Sequence, residues 1–217
     1  MRKAGLIVTI ALVSLAAGDV AHAQTPTSGT VTVTGTTPEA LSLTNESDAT
    51  VSSTIALGTL TPGTSNTLTT GQTTIRLRSN KAYKVTAQAA PLSVTGPGSA
   101  DGGSSIALSD IGFGIRSMVL TGQNVANSGS RTDQIAAGFD AKDWPAVTNG
   151  VTPAFTKTLA DLSSATQVLS GSRVSTRGNI ATDNNFITAT FGVATLPQFF
   201  TPNSGFSSVV TLTIAAQ

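Results

Sequence analysis

Short runs in which apolar residues alternate with threonine constrain the fold more than any other feature of this sequence. The clearest is the closing run 206–215, where three apolar residues alternate with two threonines: Val210, Thr211, Leu212, Thr213 and Ile214. Successive side chains of a strand point to opposite faces, so a period of two gives one buried face and one solvated face. Comparable runs are separated by turn residues and lie at 41–44, 50–57, 73–78, 83–89, 113–120 and 186–193. The sequence therefore predicts an all-β chain folded as an antiparallel β-sandwich.

Two neighbouring runs are predicted to pair with each other. In the run 73–78, Arg76 and Arg78 alternate with apolar residues and are therefore expected to point into solvent. The run 83–89 resumes the alternation after turn residues around Asn80. We expect these two runs to form an antiparallel hairpin.

The first 23 residues have the pattern of a secretory signal peptide. Arg2 and Lys3 precede an apolar run at 4–17. The triplet Ala21-His22-Ala23, with a small residue at each end, comes directly before Gln24. This apolar run is too short to span a bilayer as a helix. The mature chain is therefore expected to start at Gln24 and to be exported to the periplasm, the cell surface or the medium, with no transmembrane helix.

The rest of the chain is expected to form a single domain behind an extension. Residues 24–40 are rich in threonine, and residues 41–217 carry the strand-like runs. Long loops are expected near 90–105 and 121–165, because these stretches are rich in glycine, proline and polar residues. A helical turn is expected at 159–162, inside the second of them.

Composition excludes several classes of function. Twelve basic residues face 11 acidic ones, for a net charge of +1, which argues against nucleic acid or an anionic membrane as a partner. The chain has no cysteine, and its single histidine, His22, lies in the signal peptide. Triads that need histidine or cysteine, and nearly all transition-metal sites, are thereby excluded from the mature chain. We expect a protein that is not an enzyme and that holds no metal or cofactor.

Two other readings depend on acidic residues and one aromatic residue. Trp144 lies beside Asp140 and Asp143, an arrangement that sugar-binding surfaces use, with Tyr83 as a further candidate; a packed loop residue with solvated acids explains the same pattern. A carboxylate-dependent hydrolase would need two facing carboxylates. The available pairs are Asp140 with Asp143 and Asp101 with Asp110. Oxygen ligands for calcium occur at 45–48, at Asp101 and at 183–185, where ordinary turn chemistry is favoured.

Three stretches carry a resemblance to a known group of proteins. They are the sequence Leu57-Gly58-Thr59-Leu60-Thr61-Pro62-Gly63, the strand and turn from Ile75 to Val85 that contains Arg78-Ser79-Asn80, and the closing run from Gly205 to Ile214. Together they resemble exported bacterial pilin-like and surface β-sandwich domains. The resemblance implies an immunoglobulin-like, pilin-like sandwich and a structural or adhesive role at the cell surface.

Chaperone-usher fimbrial subunits, which the chain resembles, complete their sandwich with the N-terminal extension of the next subunit. The resemblance implies Thr30–Thr36 as the donated strand, with Val31 and Val33 as its inserted side chains. It implies a groove strand with three inward residues, Val210, Leu212 and Ile214. The implied partners are further copies, other surface subunits and a periplasmic chaperone. The chain departs from that family in lacking a disulfide and a penultimate tyrosine, and a self-contained surface domain that pairs residues 30–34 within its own sheet fits nearly as well.

Overall fold

The computed structural model describes residues 32–47, 49–51, 53–62, 67–96, 105–122, 129–148, 153–174 and 185–217. The chain divides into one unit that ends at Thr37 and a compact unit from Pro38 to Gln217. The signal peptide, Thr30 and Val31 lie outside the described residues, and residues 32–40 contain no helix or strand. The strands of the compact unit are β1 (Leu41–Thr44), β2 (Thr69–Ser79), β3 (Tyr83–Ala89), β4 (Ser93–Thr95), β5 (Gly112–Thr121), β6 (Gly129–Ser130), β7 (Thr166–Gly171), β8 (Phe186–Thr195), β9 (Gly205–Ser207) and β10 (Val210–Ala216).

The described strands form two main antiparallel sheets. The larger sheet has the order β1-β2-β8-β5-β6, and the smaller has the order β10-β3-β7. A short ladder of β4 with β9 continues the pairing of β3 with β10. Three short 3-10 turns, at Leu108–Asp110, Thr132–Gln134 and Leu159–Leu162, are the helical elements among the described residues. The predicted antiparallel β-sandwich and the predicted turn at 159–162 are confirmed.

The core lies between the two main sheets. Alternate residues of the central strands face it, so that Ile75 of β2, Ile187 of β8 and Val85 of β3 are almost fully buried. Phe113 of β5 and Phe191 of the neighbouring strand β8 pack with their ring centroids 6.0 Å apart and their planes tilted by 33°. Burial of this apolar area, at about 25 cal/mol per Å², is the main source of stability for a chain that has no disulfide.

The predicted hairpin of the runs around Asn80 is wrong. β2 pairs with β1 and β8, whereas β3 pairs with β10 and β7 in the other sheet. Between them the chain crosses from one sheet to the other through a tight corner at 79–82. The buried Ser79 hydroxyl donates to the carbonyl oxygen of Lys81 over 2.6 Å and accepts from the Lys81 amide over 3.1 Å, which closes this corner.

The expectation of solvent-exposed arginines is wrong for Arg78 and only half right for Arg76. Arg78 is 6 % exposed, and Arg76 is half-buried. Both guanidinium groups lie over the ring of Phe186, with Cζ 4.5 Å from the centroid for Arg76 and 5.2 Å for Arg78. These cation–π contacts, together with the apolar stems of the arginines, account for charged side chains being held against the outer face of the sheet.

The predicted strand at 50–57 is not a strand in its described residues 50, 51 and 53–57. An Asx turn interrupts the edge after β1, because Oδ1 of Asn45 accepts from the amides of Ser47 and Ala49. Beyond it the chain still runs beside β2, where Thr73 donates to Ser53 over 2.8 Å. The alternation at 50–57 therefore identified a segment that packs along the edge of the sheet without forming a regular ladder.

Short pairings also occur where loops or one long strand were expected. β4 lies within the predicted loop 90–105, and β6 lies within the predicted loop 121–165. The closing run is divided into β9 and β10 at Ser208, whose hydroxyl donates to the carbonyl oxygen of Ala90.

Candidate functional site

The outer edge of β5 is covered by residues that follow it in the chain. β6 pairs with the end of β5. Ile115 donates its amide to the carbonyl of Phe139 over 2.8 Å, and its carbonyl accepts from Ala141 over 3.0 Å. Nearer the start of β5, the Phe113 amide bonds the carbonyl of Lys157 over 3.0 Å. The predicted loop insertion thus protects an edge that would otherwise present unpaired backbone groups.

The edge of β7 on the same side of the sandwich is covered as well. The amide of Ala136 donates to the carbonyl of Val168 over 2.9 Å. The hydroxyl of Tyr83, which is fully buried, donates to Oε1 of Gln134 over 2.7 Å and ties this segment to the core. Burial, and secondarily the charge of Asp133, raises the pKa of the Tyr83 phenol well above its usual value. Tyr83 is thereby a packing residue, and its candidacy for a sugar-binding surface is wrong.

The opposite side of the sandwich is bounded by β1, an edge of the larger sheet, and β10, an edge of the smaller sheet. These strands lie against each other without joining into one ladder. Five of their apolar side chains pack on the core yet are only half-buried, and we call them the β1–β10 seam: Leu41, Leu43, Val210, Leu212 and Ile214. Three of their cross-strand partners, Leu77, Val85 and Ala87, are each 0 % exposed. The core is therefore only partly covered along this seam.

The backbone of β10 is paired on one side only within the described part of the chain. All seven residues of β10 are in register with β3, from Val210 opposite Ala89 to Ala216 opposite Tyr83. On its other side, no described strand or bridge is attached to it. Alternate amides and carbonyls of an edge strand point outward, so β10 offers a template for one more strand.

Asn80 fixes the chain that leads into β1. Its side-chain Oδ1 accepts from the amide of Ala40 over 2.8 Å, and its Nδ2 donates to the carbonyl of Pro38 over 3.0 Å. Its backbone amide donates to the carbonyl of Ala40 over 3.0 Å. An ion pair of Lys81 with Glu39 lies alongside. We call these contacts the Asn80 clamp; the extension joins the compact unit at this point.

The proposed donor side chains lie in the extension. Val33 is 88 % exposed, and the described residues 32–40 are all exposed. Val31 lies outside the described residues. Val33 is thus an apolar side chain that has little cover in the isolated chain.

Trp144 packs on the outer face of the larger sheet. Its ring meets Phe155 edge to face at 5.8 Å between centroids, and the guanidinium of Arg116 lies 5.2 Å from its centroid. Arg116 also donates to the carbonyl oxygen of Ala141 over 2.6 Å. A Cβ at Gly192 would lie 3.3 Å from Cζ2 of the Trp144 ring, so the glycine makes room for this packing. Trp144 is half-buried and anchors the insertion.

The acidic neighbours of Trp144 are exposed. Oδ1 of Asp140 accepts from the backbone amide of Lys142 over 3.0 Å, which is a local turn contact. Asp143 is exposed in the same segment. The structure thus holds Trp144 against the sheet while both acids stay at the surface.

The described residues hold neither a metal-binding cluster nor a membrane-spanning helix. No group of three or more histidine, cysteine, aspartate or glutamate residues that could hold a metal ion occurs there. Asn45, a calcium candidate, uses its side-chain oxygen in the Asx turn, whereas Asp48, Asp101, Asp183 and Asn184 lie outside the described residues. No helix within the described ranges is long and apolar enough to cross a membrane.

The sequence indicated the apolar positions of the seam but not the clamp. The alternation in β10 marks the three residues of the groove strand, whereas the local sequence around Asn80 indicates only a turn. Its bonds reach back 40 residues in the chain, and no local pattern records such a contact. No protein-family model matches this sequence, and no curated protein is similar to it.

Proposed function

We propose that this protein is a non-enzymatic, exported structural or adhesive surface protein, a fimbrial-like subunit that assembles by β-strand addition. The observation that supports this proposal best is the β1–β10 seam. One side of the sandwich has both edges covered by the chain between β5 and β7, whereas the other side leaves core-facing side chains half-buried beside an edge strand. An edge of this kind is where added strands pair in known recognition modes.

The occupant that we propose is the N-terminal extension of a second copy. The segment Thr30–Thr36 has the same length as β10, and its residues 30–34 alternate apolar residues with threonines as 210–214 do. Paired with β10, it would place Val31 and Val33 toward the core and its threonines toward solvent. The match in length and period supports this segment over an unrelated partner.

The energetic gain has two parts. A strand added to β10 satisfies outward amides and carbonyls, each new hydrogen bond contributing about 1 kcal/mol net. It also covers the half-buried seam side chains and the exposed Val33, at about 25 cal/mol per Å² of apolar area removed from water. Ordering the extension opposes these gains by about 1–2 kcal/mol per residue. Addition is therefore expected to be reversible and dependent on concentration.

Export and surface location belong to the same proposal. The signal-peptide pattern supports passage across the inner membrane, and further copies, other surface subunits and a periplasmic chaperone are the proposed partners. A chaperone would occupy the same seam before assembly.

Light scattering coupled to size-exclusion chromatography tests the proposal. The mature chain from Gln24 is compared with a truncation that starts at Pro38 and keeps the Asn80 clamp. We expect oligomers or fibres from the mature chain at rising concentration and a stable monomer from the truncation. Monomers from both chains at every concentration would refute strand addition.

A further inference from the structure

We infer that the Asn80 clamp keeps the extension out of its own seam and so makes strand addition intermolecular. This inference rests on the proposed function and adds the device that selects a second copy as the acceptor. It concerns residues 38–40, which the clamp holds by three hydrogen bonds to a single residue.

The clamp continues the ladder of β1 with β2 by one position. Leu41 lies opposite Ser79, and Ala40 then bonds both the backbone and the side chain of Asn80. With the Pro38 carbonyl also held, the chain from 38 to 40 is fixed beside Asn80 and cannot form a turn there. Any reversal of the extension toward its own domain has to occur before Pro38.

The positions that the valines can reach then decide whether the extension can fill the seam of its own chain. Directly opposite residues of a hairpin share a face, so a two-residue tip would turn both valines away from the face of Leu41 and Leu43, and a three-residue tip is needed. With residues 35–37 at the tip, Val33 would lie opposite Glu39, before the start of β1, and only Val31 would reach the seam, opposite Leu41. The extension of another copy has no such restriction, because its register is independent of the acceptor's chain. With 38–40 released, a tip at 36–38 would instead place Val33 opposite Leu41 and Val31 opposite Leu43, both facing the seam.

The ion pair of Lys81 with Glu39 supports the clamp from the surface. Both side chains are about half exposed, at 50 % and 52 %, so the pair is worth little by itself. The three Asn80 bonds, two of them made by one side-chain amide, are the main constraint. Asn80 is thus a positioning residue for assembly, and it touches neither the seam nor the donated strand in this account.

The test substitutes Asn80→Ala in the full mature chain. Light scattering gives the state of assembly, and hydrogen–deuterium exchange gives the protection of residues 28–37. We expect at least a 10-fold rise in the concentration needed for assembly, together with a monomer whose extension is protected from exchange. Asn45→Ala is the matched control, since that side chain also makes two hydrogen bonds to the backbone, both as acceptor, but does not hold 38–40. It should assemble like the unmodified protein.

A second variant tests the same inference without touching the folded domain. About four flexible residues inserted between Thr37 and Pro38 allow the extension to reverse before the clamp, and its high effective concentration then favours its own seam. We expect the same protected monomer. Assembly equal to that of the unmodified protein in this variant, or an Asn80→Ala monomer with an unprotected extension, overturns the inference. If the unmodified mature chain never assembles, the proposed function itself fails.

Discussion

Three glycines on the outer face of the larger sheet determine how the insertion packs. Gly112 and Gly114 of β5 and Gly192 of β8 leave space that Phe155, Ala141 and the Arg116–Trp144 pair fill. A strand glycine often marks such a close approach. The sequence shows the glycines, but which side chains fill the space depends on chain folded from up to 76 residues away, as with Gly192 and Arg116.

Gly114→Ala is expected to destabilise the domain by about 1–3 kcal/mol, because overpacking shifts backbone. Its Cβ would lie 2.5 Å from Cβ of Ala141 and 2.8 Å from the carbonyl oxygen of Phe139. Gly35→Ala is the control, since nothing lies within 4 Å of a Cβ there. Chemical denaturation of both variants checks the difference, and equal stabilities would argue against the close packing of 139–141 on β5.

Tyr83 gives a prediction about alkaline pH. Its pKa is raised in the folded state, whereas in the unfolded chain the phenol ionises near pH 10. The unfolded state therefore loses its proton first, so the stabilising contribution of Tyr83 is complete below about pH 10 and is lost as the pH rises above that value. Tyr83 is the only tyrosine, so phenolate absorbance should appear at high pH only on unfolding. Phenolate absorbance in the folded protein near pH 10 would contradict this account.

Trp144→Ala is expected to lower the free energy of unfolding by about 2 kcal/mol, somewhat less than the loss expected for a fully buried aromatic ring. The reason is the loss of packing on Phe155, Arg116 and Gly192. Because Asp143 is exposed, Asp143→Ala should change the free energy of unfolding by less than about 0.5 kcal/mol. Thermal unfolding checks both. Binding to a glycan array that Trp144→Ala abolishes without loss of stability would instead favour the carbohydrate-binding reading.

At the scale of elements, alternation identified strands well but could not assign them to sheets. The bounds of β3 and of the turn at 159–162 follow from the residues themselves. The crossing of the chain from β2 in one sheet to β3 in the other could not be predicted in this way. A corner at Ser79 and Asn80 has the same local sequence whether the chain folds back on one sheet or enters the other. Arg78 illustrates the same limit: its burial depends on Phe186, which lies far away in the chain and next to it across the sheet.

The two faces of the extension provide a matched pair of substitutions. Val33→Asp should weaken assembly at least 10-fold, because a charge would have to be buried against the seam. Thr32→Asp places the same charge on the opposite face of the added strand and should have a much smaller effect. Neither residue lies in the compact unit, so its thermal stability should not change. Light scattering across a concentration series provides the comparison; equal losses in the two variants would contradict the predicted facing of Val33.

At the scale of the whole molecule, the sandwich is asymmetric. The chain between β5 and β7 covers the edges of both strands, and Tyr83 and Gln134 tie that cover to the core. The other side presents β10 beside β1 with half-buried apolar side chains, and the chain enters there through the Asn80 clamp. The residues that form this seam could be chosen from alternation alone, whereas its position at an edge required the strand order.

Hydrogen–deuterium exchange at β10 tests the central claim most directly. The mature chain from Gln24 and the truncation from Pro38 are compared at a concentration where the mature chain is expected to assemble. The alternate amides of Val210–Ala216 that point away from β3 should exchange at least 10-fold more slowly in the mature chain than in the truncation. The amides bonded to β3 should exchange at similar rates in both. Equal exchange at all β10 amides in an assembled mature chain would contradict strand addition at the β1–β10 seam.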